Sequence, residues 1–203
     1  MAKLSVPRSA LIFLVALPFL ACVTTAPIPE AHMSPFLLDN FDSGSSSLGK
    51  DWEGFTDRVM GGVSDMRVGV ESDGQHRYLA MSGNVSLKNN GGFIQARLLL
   101  KEAGKNSFDA SGYRGIRLLV RGTGDGYYLF LRSTRNLLPW SFYMAPIGLT
   151  EDWQEILVPF SSFTKGDFGA FSELDLKRLA SVAVVAYKKE FAAHLELREI
   201  GLY

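Results

Sequence analysis

Asp57-Arg58-Val59-Met60-Gly61-Gly62-Val63-Ser64 is the stretch on which the reading of this chain turns. A second stretch answers it, Gly83-Asn84-Val85-Ser86-Leu87-Lys88-Asn89-Asn90-Gly91-Gly92-Phe93. Each sets a Gly-Gly step among β-prone apolar residues and a few polar side chains. Glycine admits positive φ and close approach of another backbone. Two such steps between short alternating runs predict strands joined by tight turns. Gly61 and Gly62 are expected to supply backbone angles that a side chain would resist. Arg58 is expected to satisfy turn carbonyls with its planar fork and to partner a nearby carboxylate, Asp57.

The same pattern extends on both sides. Strands are expected at 36–41, 52–57, 66–70, 78–81, 85–87, 93–100, 116–120, 127–131, 140–144, 153–158, 182–187 and 193–203. Helix signals are thin: Leu174 to Leu179 reads as one turn capped by Ser172. Many short strands with no room for helical crossovers predict a β-sandwich or jelly roll and exclude a parallel α/β sheet. Gly122-Thr123-Gly124-Asp125-Gly126 reads as a hairpin turn, since no helix follows it.

Composition bounds the function. The chain has 203 residues, enough for one sizeable core, and its 21 basic residues balance 21 acidic ones. That balance speaks against a nucleic-acid groove. The single cysteine, Cys22, excludes an internal disulfide. His32, His76 and His194 are too far apart for metal-ligand spacing, so no metal or cofactor is expected. Glu53, Asp57 and Asp65 are the carboxylates nearest one another, but a glycosidase pair must face one bond, and Asp57 beside Arg58 reads as a charge partner. No nucleophile elbow is present, and no catalytic residue is assigned.

The N-terminus reads as a leader. Lys3 and Arg8 precede an apolar run from Ala10 to Ala21, too short to span a bilayer. Phe19-Leu20-Ala21-Cys22 resembles the lipobox of bacterial lipoproteins, which implies a signal peptide over 1–21 and a lipid on Cys22. Residues 22–35, rich in proline, read as a tether. The expected location is the bacterial cell envelope, anchored to a membrane through lipid and facing the periplasm or exterior.

Taken together, the two Gly-Gly stretches, Trp52, Gly115 to Gly122, Trp153 and Val158-Pro159-Phe160-Ser161-Ser162-Phe163 resemble the complex I intermediate-associated protein 30 family over residues 36–203. The resemblance implies a single all-β domain with a galactose-binding-like jelly-roll fold. It also implies a non-enzymatic, chaperone-like module, as in mitochondrial members that assemble NADH:ubiquinone oxidoreductase. The lipoprotein-like leader sets this chain apart from assembly of that complex's cytoplasmic arm. The expected partner is a protein in the envelope; the alternative is a carbohydrate-binding module of the same fold. Jelly rolls of this type often hold calcium where the first and last strands pair, near Asp39, Asp42 and Glu199; solvated turn acids are the preferred reading there. Trp52, Asp57, Arg58, Asn84, Asn90, Trp140 and Tyr143 are the candidate partner or ligand surface. Trp52, Trp140 and Tyr143 read as a stacking platform for sugar or as core, core being the commoner fate of aromatics on strands, and Trp140 is the best candidate for partial exposure.

Overall fold

The computed structural model describes residues 33–138, 140–166 and 173–203. Cys22, the leader, Ser172 and most of the loop at 164–172 lie outside the described residues.

Among the described residues, twelve strands form two antiparallel sheets. The strands are β1 (Phe36–Asp39), β2 (Trp52–Thr56), β3 (Arg67–Ser72), β4 (Arg77–Val85), β5 (Phe93–Leu99), β6 (Gly115–Thr123), β7 (Tyr127–Ser133), β8 (Tyr143–Ile147), β9 (Gln154–Pro159), β10 (Thr164–Lys165), β11 (Leu179–Tyr187) and β12 (Phe191–Leu202). The first sheet runs β3-β4-β12-β6-β9, with β1 beside the last residues of β12. The second runs β10-β8-β7-β11-β5-β2. No α-helix occurs among the described residues; the helical turns are short 3₁₀ pieces. One of them, Leu176–Arg178, lies in the segment expected to turn.

Alternation decides which side chains meet. In β5, Ile94, Ala96 and Leu98 point inward and are fully buried. They meet Leu118 and Val120 of β6 and Leu195 and Leu197 of β12 in one core. In β12 the inward spacing changes from Leu195 and Leu197 to Ile200 and Leu202, and the pairing with β6 slips between Leu197 and Glu199. A bulge absorbs the extra residue and keeps both apolar pairs inside.

Three elements depart from the expectation. First, β4 is one unbroken strand, because Gly83 continues it: a Cβ there would lie 2.1 Å from Asp65 O. Second, β8 begins at Tyr143, so Trp140 precedes it. Its Pro146, which has no N–H to donate, lies past the two residues that β10 pairs. Third, residues 122–126 are not a hairpin turn, since β6 and β7 belong to different sheets. Gly124 and Gly126 take φ of 90° and 97° and turn the chain across the sandwich. Tyr127 pins that corner: its hydroxyl donates to Thr123 O and accepts from His194 N, both at 2.8 Å.

Candidate functional site

The two Gly-Gly stretches meet on one buried carboxylate. Asp57 starts a 3₁₀ turn (Asp57–Met60) and is wholly buried. Its Oδ1 accepts from Ser64 N at 2.9 Å, and its Oδ2 from Ser64 Oγ at 2.5 Å, Gly92 N at 2.6 Å and Phe93 N at 3.4 Å. Ser64 Oγ also accepts from Ser86 N, so the second stretch is tied in twice. Burial pushes the Asp57 carboxyl up, but the bonds from Ser64, Gly92 and Phe93 outweigh it and hold the pKa below the ordinary value.

The glycines fit around this carboxylate. A Cβ on Gly62 would lie 2.3 Å from Asp57 Cγ, and one on Gly91 would lie 2.5 Å from Asp57 Oδ2. Gly61 alone of the first pair has positive φ, 94°. Gly62 therefore serves space rather than backbone angle, which corrects the expectation for it. Arg58 meets the expectation in one part and departs in the other: its Nε donates to a turn carbonyl, Ser64 O, at 2.9 Å, while Asp57 is satisfied by backbone and hydroxyl donors.

The expected surface residues do not form one site. Asp57 and Tyr143 are buried, Asp57 in the hub just described and Tyr143 in the core, so neither is surface. Trp52 faces inward beside Phe41, with its indole N–H on Asp39 Oδ2 at 3.0 Å. Arg58, Asn84 and Asn90 are exposed near the hub. Asn84 donates to Asp65, and Asn90 has φ of 57° in the turn leading to Gly91. Trp140 is 48% exposed in the loop before β8.

The carboxylates disperse as well. Glu53 pairs with Arg97, Asp57 is enclosed, and Asp65 holds Asn84. Asp39 is buried on Phe41 N and Trp52 rather than solvated, and Glu199 pairs with Arg117, so these acids do not gather with Asp42 around an ion.

What the sequence reading missed lies on the outer face of the second sheet. β11 is buried on both sides there, with Ala183 and Val185 covered as fully as the core. Their cover is a second apolar cluster, formed with Phe130 and Phe142 and flanked by Phe93, Tyr128, Met144 and Tyr187. Phe130 stacks on Phe142 with centroids 4.0 Å apart, and Tyr187 meets Phe130 edge-on at 5.1 Å. Tyr128 meets Tyr187 at 6.0 Å. Polar groups share this face. Register places Gln95 and Arg97 of β5 on one side of β11 and Tyr128 and Arg132 of β7 on the other. Arg97 lies over the Phe55 ring at 4.3 Å and reaches Glu53 at 2.8 Å. Arg132 donates to Asn136 O and Leu138 O, which sets the loop bearing Leu137 and Trp140 at the rim.

The signal was present as phase. Phe93, Gln95 and Arg97 alternate on one strand, and Tyr128, Phe130 and Arg132 on another. Only the pairing of both with β11 makes them one face. The outer face of the first sheet is different in kind. There Arg117 pairs with Glu155 and Glu199, and Arg121 with Glu196, so its cations are matched by acids.

The fold is a jelly-roll sandwich with aromatic and polar side chains on one sheet's outer face, and no carboxylates converge among the described residues. Residues 40–197 match the family model of Complex I intermediate-associated protein 30 (CIA30), and the chain belongs to that family. No curated protein matches the sequence. Among solved structures, the chain is similar to the family 11 carbohydrate-binding module of the cellulosomal cellulase Lic26A-Cel5E of Clostridium thermocellum. That match has 16% identity and a TM-score of 0.66, covering 83% of this chain and 94% of the other. The family 11 module from the same organism, in complex with a β-1,3-1,4-mixed-linked tetrasaccharide, matches at 17% identity and TM-score 0.63, with the same coverage. The family 30 module of cellulosomal cellulase Cel9D-Cel44B of Clostridium thermocellum matches at 12% identity and TM-score 0.59, covering 84% of this chain and 98% of the other. At these identities the likeness establishes the galactose-binding-like jelly-roll fold.

Proposed function

We propose that the domain is a non-catalytic binding module that holds a saccharide chain on the outer face of its second sheet. The observation that carries this reading is the face itself. Phe93 of β5, Tyr128 of β7 and Tyr187 of β11 form a half-buried aromatic platform beside the buried Phe130 and Phe142, and Gln95, Arg97 and Arg132 stand among them. Rings offer flat apolar area to the C–H faces of a sugar, and the flanking donors orient its hydroxyls. The family 11 module seen with a mixed-linked tetrasaccharide supports the reading by showing a ligand that the same fold carries. Affinity electrophoresis of the full chain through gels containing different soluble polysaccharides tests it. Retardation by at least one polysaccharide, lost in Tyr187→Ala with folding intact, is expected. Free migration through all of them overturns the reading.

A protein partner is the second reading, and one observation favours it. Val59, Met60, Val63 and Leu87 are exposed on the two stretches joined at Asp57. Partner capture lost in Met60→Ser but retained in Tyr187→Ala would favour this reading over the saccharide. In either case we propose that the domain sits in a bacterial envelope, tethered through lipid on Cys22. Cys22→Ser should then release it from the membrane fraction; retention there refutes the anchor.

A further inference from the structure

We propose that the saccharide held on this face is acidic, and that the carboxylate or sulfate of one sugar unit is received between Arg97 and Arg132. The inference rests on the saccharide reading of the same face. Arg97 stands opposite Ala183 on one side of β11, and Arg132 stands opposite Ser181 on the other. Two strand spacings across the sheet and an offset of two residues along it separate their backbones by about 12 Å. On β11 only the small, buried side chains of Ala183 and Ser181 lie between the two arginines, with Phe130 beside Ala183 on β7.

The charges on this face are unequal. Arg97 uses Nη2 on Glu53, and its buried Nε has no acceptor. A guanidinium carries five N–H donors and no acceptor, so this one retains donor capacity that the protein leaves unused. Arg132 gives Nη2 to two backbone carbonyls, which are neutral. Glu53 is the only acid that register places on this face among the described residues, and its side chain is 49% exposed on the outer strand β2. Among the residues that register places on this face, two cations therefore face one anion, and that anion is half-exposed. Burial and the charge of Arg97 together hold the Arg132 pKa below its ordinary value. An oxyanion placed between the two would offset both effects with opposite charge, and the planar fork of arginine matches a carboxylate or sulfate with two parallel hydrogen bonds. The neighbouring rings would take the apolar face of the same sugar.

Calorimetric titration of the full chain decides this. The probes are a galacturonate hexasaccharide (carboxylate only), a κ-carrageenan hexasaccharide (sulfate only) and neutral cellohexaose. At least one acidic probe should bind at least about tenfold more tightly than the neutral one, and which acid does so identifies the group received. High salt should shrink the preference, because the charges are partly exposed. Arg97→Gln should reduce the ratio to below about threefold with its melting temperature preserved. Glu53→Gln, which removes the competing carboxylate, should raise acid affinity. Equal affinity for acidic and neutral probes, or an unchanged ratio in Arg97→Gln, overturns the proposal and leaves the saccharide reading standing. Binding of no saccharide overturns both.

Discussion

Replacing Asp57 tests how the two Gly-Gly stretches hold together. In Asp57→Ala the carboxylate that gathers Ser64 N, Ser64 Oγ, Gly92 N and Phe93 N is gone. Ser64 Oγ can still turn to Ser86 O, and the Phe93 contact is long, so the main loss falls on the N–H groups of Ser64 and Gly92. A buried donor left without a partner costs about 1–3 kcal/mol. Two of them come to about 4 kcal/mol, against a total stability of about 5–15 kcal/mol for a domain. At about 3 °C per kcal/mol for a chain of this size, melting should fall by about 12 °C. Asp57→Asn adds a pH signature. Because the folded pKa is lowered, the carboxylate contributes stability that is fully present above the unfolded pKa, about 3.9. That stability is lost as pH falls through the lower folded value. The gap in melting temperature between parent and Asp57→Asn should therefore be constant near neutrality and close at acid pH. Calorimetric melting across pH 2–7 (about five points) reads both effects. A loss under about 1 kcal/mol for Asp57→Ala, or a gap that widens in acid, would refute the hub.

Two further substitutions probe the same scaffold. Gly62→Ala drives a methyl into the Asp57 carboxyl and should cost about 2 kcal/mol or more, whereas Gly61→Ala faces open space and should cost only the left-handed backbone penalty of about 1 kcal/mol. Equal losses in urea unfolding would contradict the division of roles between them. Tyr127→Phe removes the acceptor for His194 N and should cost about 1–2 kcal/mol. Burial pushes the Tyr127 pKa up to about 12, so its contribution is full below about pH 10 and lost as pH rises through the folded value. A parent and a Tyr127→Phe variant with the same stability at pH 8 would rule this out.

Period and turn chemistry made most of the fold legible. Phe93-Ile94-Gln95-Ala96-Arg97 alternates cleanly, and β5 lies where alternation puts it. The errors arose where a local signal had a non-local cause. Trp140 looked like strand because it is aromatic, although pairing with Leu131 starts β8 only at Tyr143. Residues 122–126 looked like a hairpin because glycine turns are common between strands, although the turn here crosses from one sheet to the other. The role of Asp57 was hidden for the same reason: its partners at Gly92 and Phe93 lie 35 and 36 residues away. The proposed binding face was hidden most deeply. Its aromatic and arginine residues sit on strands far apart in sequence, and the almost wholly apolar β11 gave no periodicity to show that it had an outer side.

Chemical-shift mapping tests that face most directly. Isotope-labelled protein titrated with an oligosaccharide that retards it in electrophoresis should show its largest amide shifts along β5, β7 and β11. They should centre on Arg97, Tyr128, Arg132 and Tyr187, with the indole of Trp140 moving and that of Trp52 still. Shifts confined to Arg58–Val63 and Leu87–Asn90, or to the outer face of the first sheet around Arg117 and Glu199, would contradict it.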